Sequence, residues 1–317
     1  MKESQVYRKV LIRMVVLIIV LALAAIVLPS QVDILGDAVR TLARSDKTYI
    51  VLGFAALVFS YFSAATAYMW LTFRPLRFRE TLLVQIADGF TNRLLPASLG
   101  GVATNVLYLV GRRHSKSQAA LVVTANNVLG FMGHIAVLVV LLAFQRFKSD
   151  VAFSVNGQAV RALVIVSGGF IIIGLVVSMA YGRQVSRYVR RSFRDVRNVM
   201  GRPQRLMAAL LSSMATTLSY ALILYCATLA VNVHISFLQA FLALTATVMA
   251  LAITPTPGGV GGAELGLTAA LASMGVNAQQ ALSTALLFRL ITFWLPIVPG
   301  FIALQLVLSK RLLKVKV

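Results

Sequence analysis

The stretch ITPTPGGVGGAEL, Ile253 to Leu265, interrupts a long apolar region, and its reading decides the fold. It places two prolines, four glycines and a glutamate within thirteen residues. Backbone inside hydrocarbon cannot be irregular unless protein or a water-filled cavity shelters it, because no water is present to pair its N–H and C=O groups. A break of this kind in a membrane segment therefore marks a turn enclosed by the rest of the protein.

The surrounding composition is that of a membrane protein. Of 317 residues, 59% are hydrophobic and 12% are charged, against about 45–50% and about 25% in a soluble domain. Six apolar runs at 10–28, 48–73, 116–144, 159–181, 206–230 and 278–308 have lengths near the ~20 residues that cross a bilayer. Two further apolar segments, 80–112 and 236–276, are broken near the middle. The first is broken by LLPASLGG (Leu94–Gly101), the second by the opening stretch. The expected class is an all-α polytopic membrane protein with about six spans. The N-terminal run, with its basic head, reads as an uncleaved first span rather than a signal peptide.

Charge then orients the segments. The net charge is +21 with nine acids, a balance that in a soluble chain would suggest nucleic acid. Here the basic residues cluster between apolar runs, as the positive-inside bias requires, and no nucleic-acid motif accompanies them. Arg74, Arg77 and Arg79 precede the segment 80–112, and Arg112, Arg113 and Lys116 follow it. Both its ends are therefore expected on the cytoplasmic side, making it a re-entrant helical hairpin. The segment 236–276 has no Lys or Arg in its flanks NVH and GVNAQ, so both its ends fit the outer side. The loop 29–47 is charge-balanced and also fits outside, while both termini are basic and fit inside; the loop 145–158 is a mild exception.

This arrangement is an inverted repeat. Residues 1–150 and 151–317 each hold three spans and one hairpin, and an odd number of spans per half inverts the second copy. Gly100–Gly101–Val102 finds its counterpart in Gly258–Gly259–Val260. Broken helices at matching places in two inverted halves point to a transport site near the midplane. Between the halves, the linker 182–205 sets Arg183, Arg187, Arg190, Arg191, Arg194 and Arg197 opposite a stripe of Val185, Val189, Phe193, Val196 and Met200. It reads as an interfacial helix facing anionic headgroups, and as a topology determinant.

Ionisable residues inside the membrane carry the functional expectation, since each costs about 2.5–3.5 kcal/mol at the bilayer centre on insertion scales. Four stand out: Asp88 and Arg93 in the first hairpin, Glu264 in the second and Arg289 in the last span. Glu264 falls in the first turn of a returning half-helix, where it complements the positive helix end. Arg289 lies about 17 Å into its span at 1.5 Å per residue, close to the depth of a hairpin tip. The two are expected to pair, or to share a substrate headgroup in one cavity. Arg93, beside Asn92, offers a cation to a phosphate, and backbone amides at Gly100, Gly101, Gly258 and Gly259 are expected to add anion-binding capacity. No catalytic constellation, metal-ligand spacing, phosphate loop or cofactor motif is visible. Cys226 lies in an apolar run and reads as a small core residue.

The second half resembles the transmembrane region family of lysylphosphatidylglycerol synthases, the flippase-type domain of the multiple peptide resistance factor, which also occurs as stand-alone proteins. The resemblance rests on TPTPGGVGGAE (254–264), LASMGVNAQQALSTALLFRLITFWLP (271–296) and Gly300. Pro255, Pro257, Gly258, Gly259, Gly261, Glu264, Phe288 and Arg289 match the family pattern. In the first half Asn92, Pro96, Gly100 and Gly101 match, while Val102 and Asn105 stand where the family usually has aspartate and arginine. Asn126–Asn127 stands where an aspartate–arginine pair is common, which brings Asn127 into the candidate site. The chain ends at Val317 without an aminoacyltransferase domain, so the resemblance implies a protein that is not a lipid-lysylating enzyme. It implies a bacterial inner-membrane transporter that moves a phospholipid or lipid-linked molecule between leaflets. Its partners would be anionic phospholipids, and a homo-oligomer is compatible with the sequence. Two other classes remain open at this level: an ion- or proton-coupled solute transporter, resting on Glu264, and a non-transporting partner of a lipid-modifying enzyme, docking through the arginine linker.

Overall fold

The computed structural model describes residues 36–94, 99–148, 201, 203–254 and 256–313. The expected spans 10–28 and 159–181, and nearly all of the linker 182–205, lie outside the described residues. Within them every regular element is helical: α1 (36–44), α2 (Lys47–Leu71), α3 (Phe78–Leu94), α4 (Leu99–Gly111), α5 (Lys116–Lys148), α6 (Pro203–Ala230), α7 (Phe237–Ile253), α8 (Gly262–Ser273), α9 (Ala278–Arg289) and α10 (Ile297–Ser309). A 3₁₀ turn, Pro257–Gly259, joins α7 to α8, and a π turn, Leu290–Trp294, joins α9 to α10.

Four helices are long and apolar enough to cross a membrane: Lys47–Leu71, Lys116–Phe144, Pro203–Ala230 and Ala278–Ser309. They coincide with four of the expected spans. Three departures from the sequence reading have a clear physical cause or consequence. Helix α6 starts at Pro203 rather than 206, because proline is pre-set for the first helical turn and its missing N–H costs nothing there. The expected loop 29–47 contains helix α1, whose Ala38 is fully buried. The span 278–308 is not one regular helix. Pro296 has no N–H to give to the carbonyl of Thr292, so the ladder slips and the Leu295 amide bonds back to Leu290 O at 2.9 Å, the five-residue spacing of a π turn.

Helices α2 and α6 pack against each other along their length and run antiparallel, since the Asp46 amide at the start of α2 bonds the Ala230 carbonyl at the end of α6 at 3.0 Å. Asp46 also caps α2 by accepting from the Thr48 amide at 2.8 Å. Cys226 is buried at this seam, where Gly53 of α2 approaches it. Helix α3 follows the far end of α2, and α7 follows the far end of α6. The pairs α3–α4 and α7–α8 therefore start from opposite ends of the α2/α6 pair.

Each pair is an antiparallel hairpin. Polar side chains hold the first: Thr81 Oγ1 and Tyr108 OH lie 2.9 Å apart, Gln85 Nε2 donates to Asn105 Oδ1 at 2.8 Å, and Thr91 and Thr104 hydroxyls pair at 2.9 Å. An ion pair between Glu80 and Arg112 closes its base. Such bonds suit an apolar surrounding, where helix association gains little from the hydrophobic effect and relies on close contact and polar pairing. Small residues hold the second hairpin, with Gly266 against Ala250 and Gly262 against Thr254. Ser236 and Gln239 form a reciprocal capping box at its start. Helix α5 meets this hairpin through His134, whose Nε2 lies 2.9 Å from Thr245 Oγ1 and whose ring stacks on Phe241.

Helix α10 lies along α3, and Gly300 makes that approach possible: a Cβ there would sit 2.7 Å from Phe90 Cβ and 3.1 Å from the Ile86 carbonyl. Gly300→Val should therefore push α10 off α3 and destabilise the protein by about 1–3 kcal/mol, the range for overpacking. The check is the unfolding temperature of the detergent-purified protein, which should fall by several degrees; an unchanged value would contradict this packing.

Candidate functional site

The tip of the second hairpin is built around positive backbone φ angles. Gly258, Gly259 and Gly261 have φ of 61°, 64° and 85°, a region that costs other residues about 1–2 kcal/mol each. At Gly258 space is limiting as well, because a Cβ would run into the ring of Phe293. The turn delivers Gly261 to the start of α8, where Glu264 Oε2 accepts the Gly261 amide at 2.7 Å.

The other carboxylate oxygen, Glu264 Oε1, accepts from Arg289 Nε at 2.7 Å. Arg289 Nη2 also donates to the Gly258 carbonyl at 3.0 Å, and the guanidinium lies over Phe293, 4.2 Å from the ring centroid. Both charged residues are only 6% exposed. Of the two arrangements expected for Glu264 and Arg289, the structure shows the pair. One arginine thus ties α9 to α8 through a carboxylate and to the hairpin turn through a carbonyl. Each group is hydrogen-bonded as well as charge-paired, the condition under which a buried ion pair offsets its desolvation.

Arg93, at the tip of α3, reaches the same place from the opposite end. Its Nη2 donates to the Thr292 carbonyl, the one that Pro296 leaves without an amide partner. Its guanidinium carbon lies 5.5 Å from the centroid of Phe293. Phe293 therefore receives two guanidinium groups, one from α3 and one from α9. Sequence reasoning missed this residue. The available signal was its position one helical turn beyond Arg289, where side chains of a helix become neighbours.

Residues 10–300 match a family model described as the lysylphosphatidylglycerol synthase TM region. The chain belongs to this family. It is also 25% identical, over 318 aligned residues, to the UPF0104 membrane protein PH1989 of Pyrococcus horikoshii, with 87% of this chain and 91% of that relative covered. This family membership supports a multi-pass membrane protein, in agreement with the four apolar helices.

The remaining site candidates of this family member fall into two groups. Asp88 and Asn92 belong to the hairpin interior. Asp88 Oδ1 accepts from Asn105 Nδ2 at 3.0 Å, so the amide that stands where the family usually has arginine still faces an acid. Asn92 Oδ1 accepts the Gly101 amide at 2.8 Å and so caps the start of α4. The Gly101 amide is thereby committed, as is the Gly259 amide, which donates to Thr256 O at 3.0 Å. The expectation that these two N–H groups face an anion is corrected by these bonds: the glycines serve close approach, and their donors are spent inside the protein. Gly100 likewise lies against the backbone of Thr91. Asn127 sits apart, exposed on α5. Two further residues border the Arg93 tip unforeseen, Tyr61 of α2 and Tyr220 of α6, both within electrostatic reach of Arg93 and Asp88.

Removing one member of the buried pair should be worse than removing both. Glu264→Leu and Arg289→Met are each expected to destabilise by about 3–5 kcal/mol, because each leaves an uncompensated buried charge. The double variant should recover a large part of that loss. Thermal unfolding of the four proteins checks this, and strictly additive losses would mean that the two side chains do not act as a pair.

Proposed function

We propose that this protein is a membrane lipid transporter that moves a phospholipid or lipid-linked molecule between leaflets, binding its cargo without transforming it. In this reading it has six spans and two re-entrant hairpins in inverted repeat, it resides in a bacterial inner membrane, and both termini are cytoplasmic. The observation that carries the reading is the meeting of two hairpin tips, started from opposite ends of the α2/α6 pair, at the arginine-flanked ring of Phe293.

Helix lengths support the depth of that meeting. Arg93 lies about 22 Å from the start of α3 and Arg289 about 17 Å from the start of α9, at 1.5 Å per residue. Together these approach the ~40–45 Å of a bilayer with its headgroup regions. The side chains at the end of the bundle that carries the first hairpin's base support the orientation: Arg74, Arg77, Arg79, Arg112, Arg113, Lys116, Arg205, Lys310 and Arg311 against Glu80. Such an end favours the cytoplasmic side and contact with anionic lipids.

A proton-coupled solute carrier would rest on Glu264. Both oxygens of that carboxylate are engaged, by Arg289 and by the Gly261 amide, which favours a fixed structural charge over a cycling one. A lipid also suits broad apolar walls around a polar tip better than an inorganic ion does.

Reconstitution tests the proposal. Vesicles holding the purified protein and a headgroup-labelled phosphatidylglycerol are treated with a membrane-impermeant quencher. Wild-type protein should expose inner-leaflet label well above protein-free vesicles. Arg289→Met, compared in vesicles verified to hold folded protein, should slow the exchange by roughly tenfold or more, because the second hairpin loses the charged donor that fixes its turn. Wild-type vesicles that exchange no labelled lipid, with or without an ion gradient, would overturn lipid transport and return attention to a partner of a lipid-modifying enzyme.

A further inference from the structure

Arg93 is bound differently from Arg289. Arg289 has a carboxylate at 2.7 Å. No carboxylate of the described residues comes within ion-pairing distance of Arg93. Its nearest acid on the same helix, Asp88, is five residues earlier, and at 3.6 residues per turn the two point about 140° apart. Asp88 is satisfied instead by Asn105. Among the described residues, the protein thus brings a cation to the end of α3 and gives it a backbone carbonyl, a tyrosine hydroxyl and an aromatic face as close neighbours, with the Asp88 carboxylate acting on it only from beyond ion-pairing distance.

The donors of Arg93 are also incompletely used. Nη2 serves Thr292 O, and Nη1 and the Tyr61 hydroxyl both border Gly89. Nε is buried and has no hydrogen-bond partner among the described residues. An arginine carries five N–H donors in one plane, a fork suited to two oxygens of one phosphate or carboxylate. The bonds that exist hold the group from the side of α9–α10 and α2, so its orientation is set before any ligand arrives.

We infer that Arg93 is an anion-binding subsite at the tip of the first hairpin, taking the phosphate of the transported molecule, while the Glu264–Arg289 pair fixes the second hairpin. The ligand class is a phosphate mono- or diester oxyanion, either in a lipid headgroup or as a free ion. This inference rests on the lipid-transport reading for the lipid source only; the subsite itself rests on a guanidinium that has no carboxylate of the described residues within ion-pairing distance. The tips then have unequal tasks: the one that meets the opposing carboxylate is structural, and the one without a carboxylate holds the cargo.

The test uses the full-length purified protein and two probes, dioleoylphosphatidylglycerol and inorganic phosphate. Native mass spectrometry compares retained phosphatidylglycerol with retained dioleoylglycerol, which has the same tails and no phosphate. Arg93→Gln should reduce phosphatidylglycerol retention by roughly tenfold or more, the effect of losing a charged donor, and leave dioleoylglycerol retention unchanged. In the second arm, millimolar phosphate should raise the unfolding temperature of the wild type but not of Arg93→Gln. A response to inorganic phosphate alone keeps the subsite, assigns it to a free ion and removes the lipid reading. Equal behaviour of wild type and Arg93→Gln towards both probes overturns the subsite, even in a protein that exchanges lipids. Because Arg93→Gln also strips Thr292 O of its donor, the double variant Arg93→Gln/Pro296→Ala returns an N–H to that carbonyl. It should regain thermal stability and stay weak for phosphate; recovery of both would mean that Arg93 is a structural cap.

Discussion

Arg289 holds the second hairpin and the last span together because it answers two needs with one group. The turn at Gly258–Gly261 abandons regular hydrogen bonding in the middle of an apolar region. Its carbonyl at Gly258 and the carboxylate of Glu264 both need a donor that is present at that depth, and Arg289 provides both. Without it the turn would leave a carbonyl and a carboxylate oxygen unpaired inside the protein, a costly state for buried polar groups. Glu264 in turn holds the Gly261 amide, so the start of α8, the turn and α9 form one hydrogen-bonded unit.

The same logic acts at the opposite tip through proline. Pro296 removes the amide that Thr292 O would have used, the helix shifts into a π turn, and the freed carbonyl becomes the docking point for Arg93. A break in the last span thus creates the attachment for the first hairpin, and Gly300 then lets α10 run close along α3. The two hairpins are held by different means. Polar rungs such as Gln85–Asn105 and Thr91–Thr104 hold the first, and glycine contacts hold the second. Both solutions suit a setting in which burial of apolar surface gives helices little reason to associate.

Phe293 joins the two hairpins. Its ring abuts Gly258 and faces two guanidinium groups. Each contact is an attraction of a cation to a π face, of order 0.5–2 kcal/mol. Arg289 is paired with Glu264, while no carboxylate of the described residues lies within ion-pairing distance of Arg93, so the two arginines that meet at this ring differ in their partners.

Much of this was legible in the chain. Four apolar helices, the two broken segments and the first-turn position of Glu264 follow from hydropathy and the capping preference of acids, which are local properties. The sequence alone also singled out Asp88, Arg93 and Asn92 as charges and polar groups in the wrong solvent. It could not say which of them are satisfied. Whether Gly101 and Gly259 offer their amides to a ligand, whether the carbonyl freed by Pro296 finds a donor, and whether Arg93 meets an acid are decided by residues far apart in sequence. Such contacts depend on how α2 and α6 pack and which ends the hairpins start from. The sequence determined where the membrane rules are broken; the tertiary structure decided how each break is satisfied, because a hydrogen bond in a low-dielectric interior is fixed by the position of its partner and not by the identity of the residue alone.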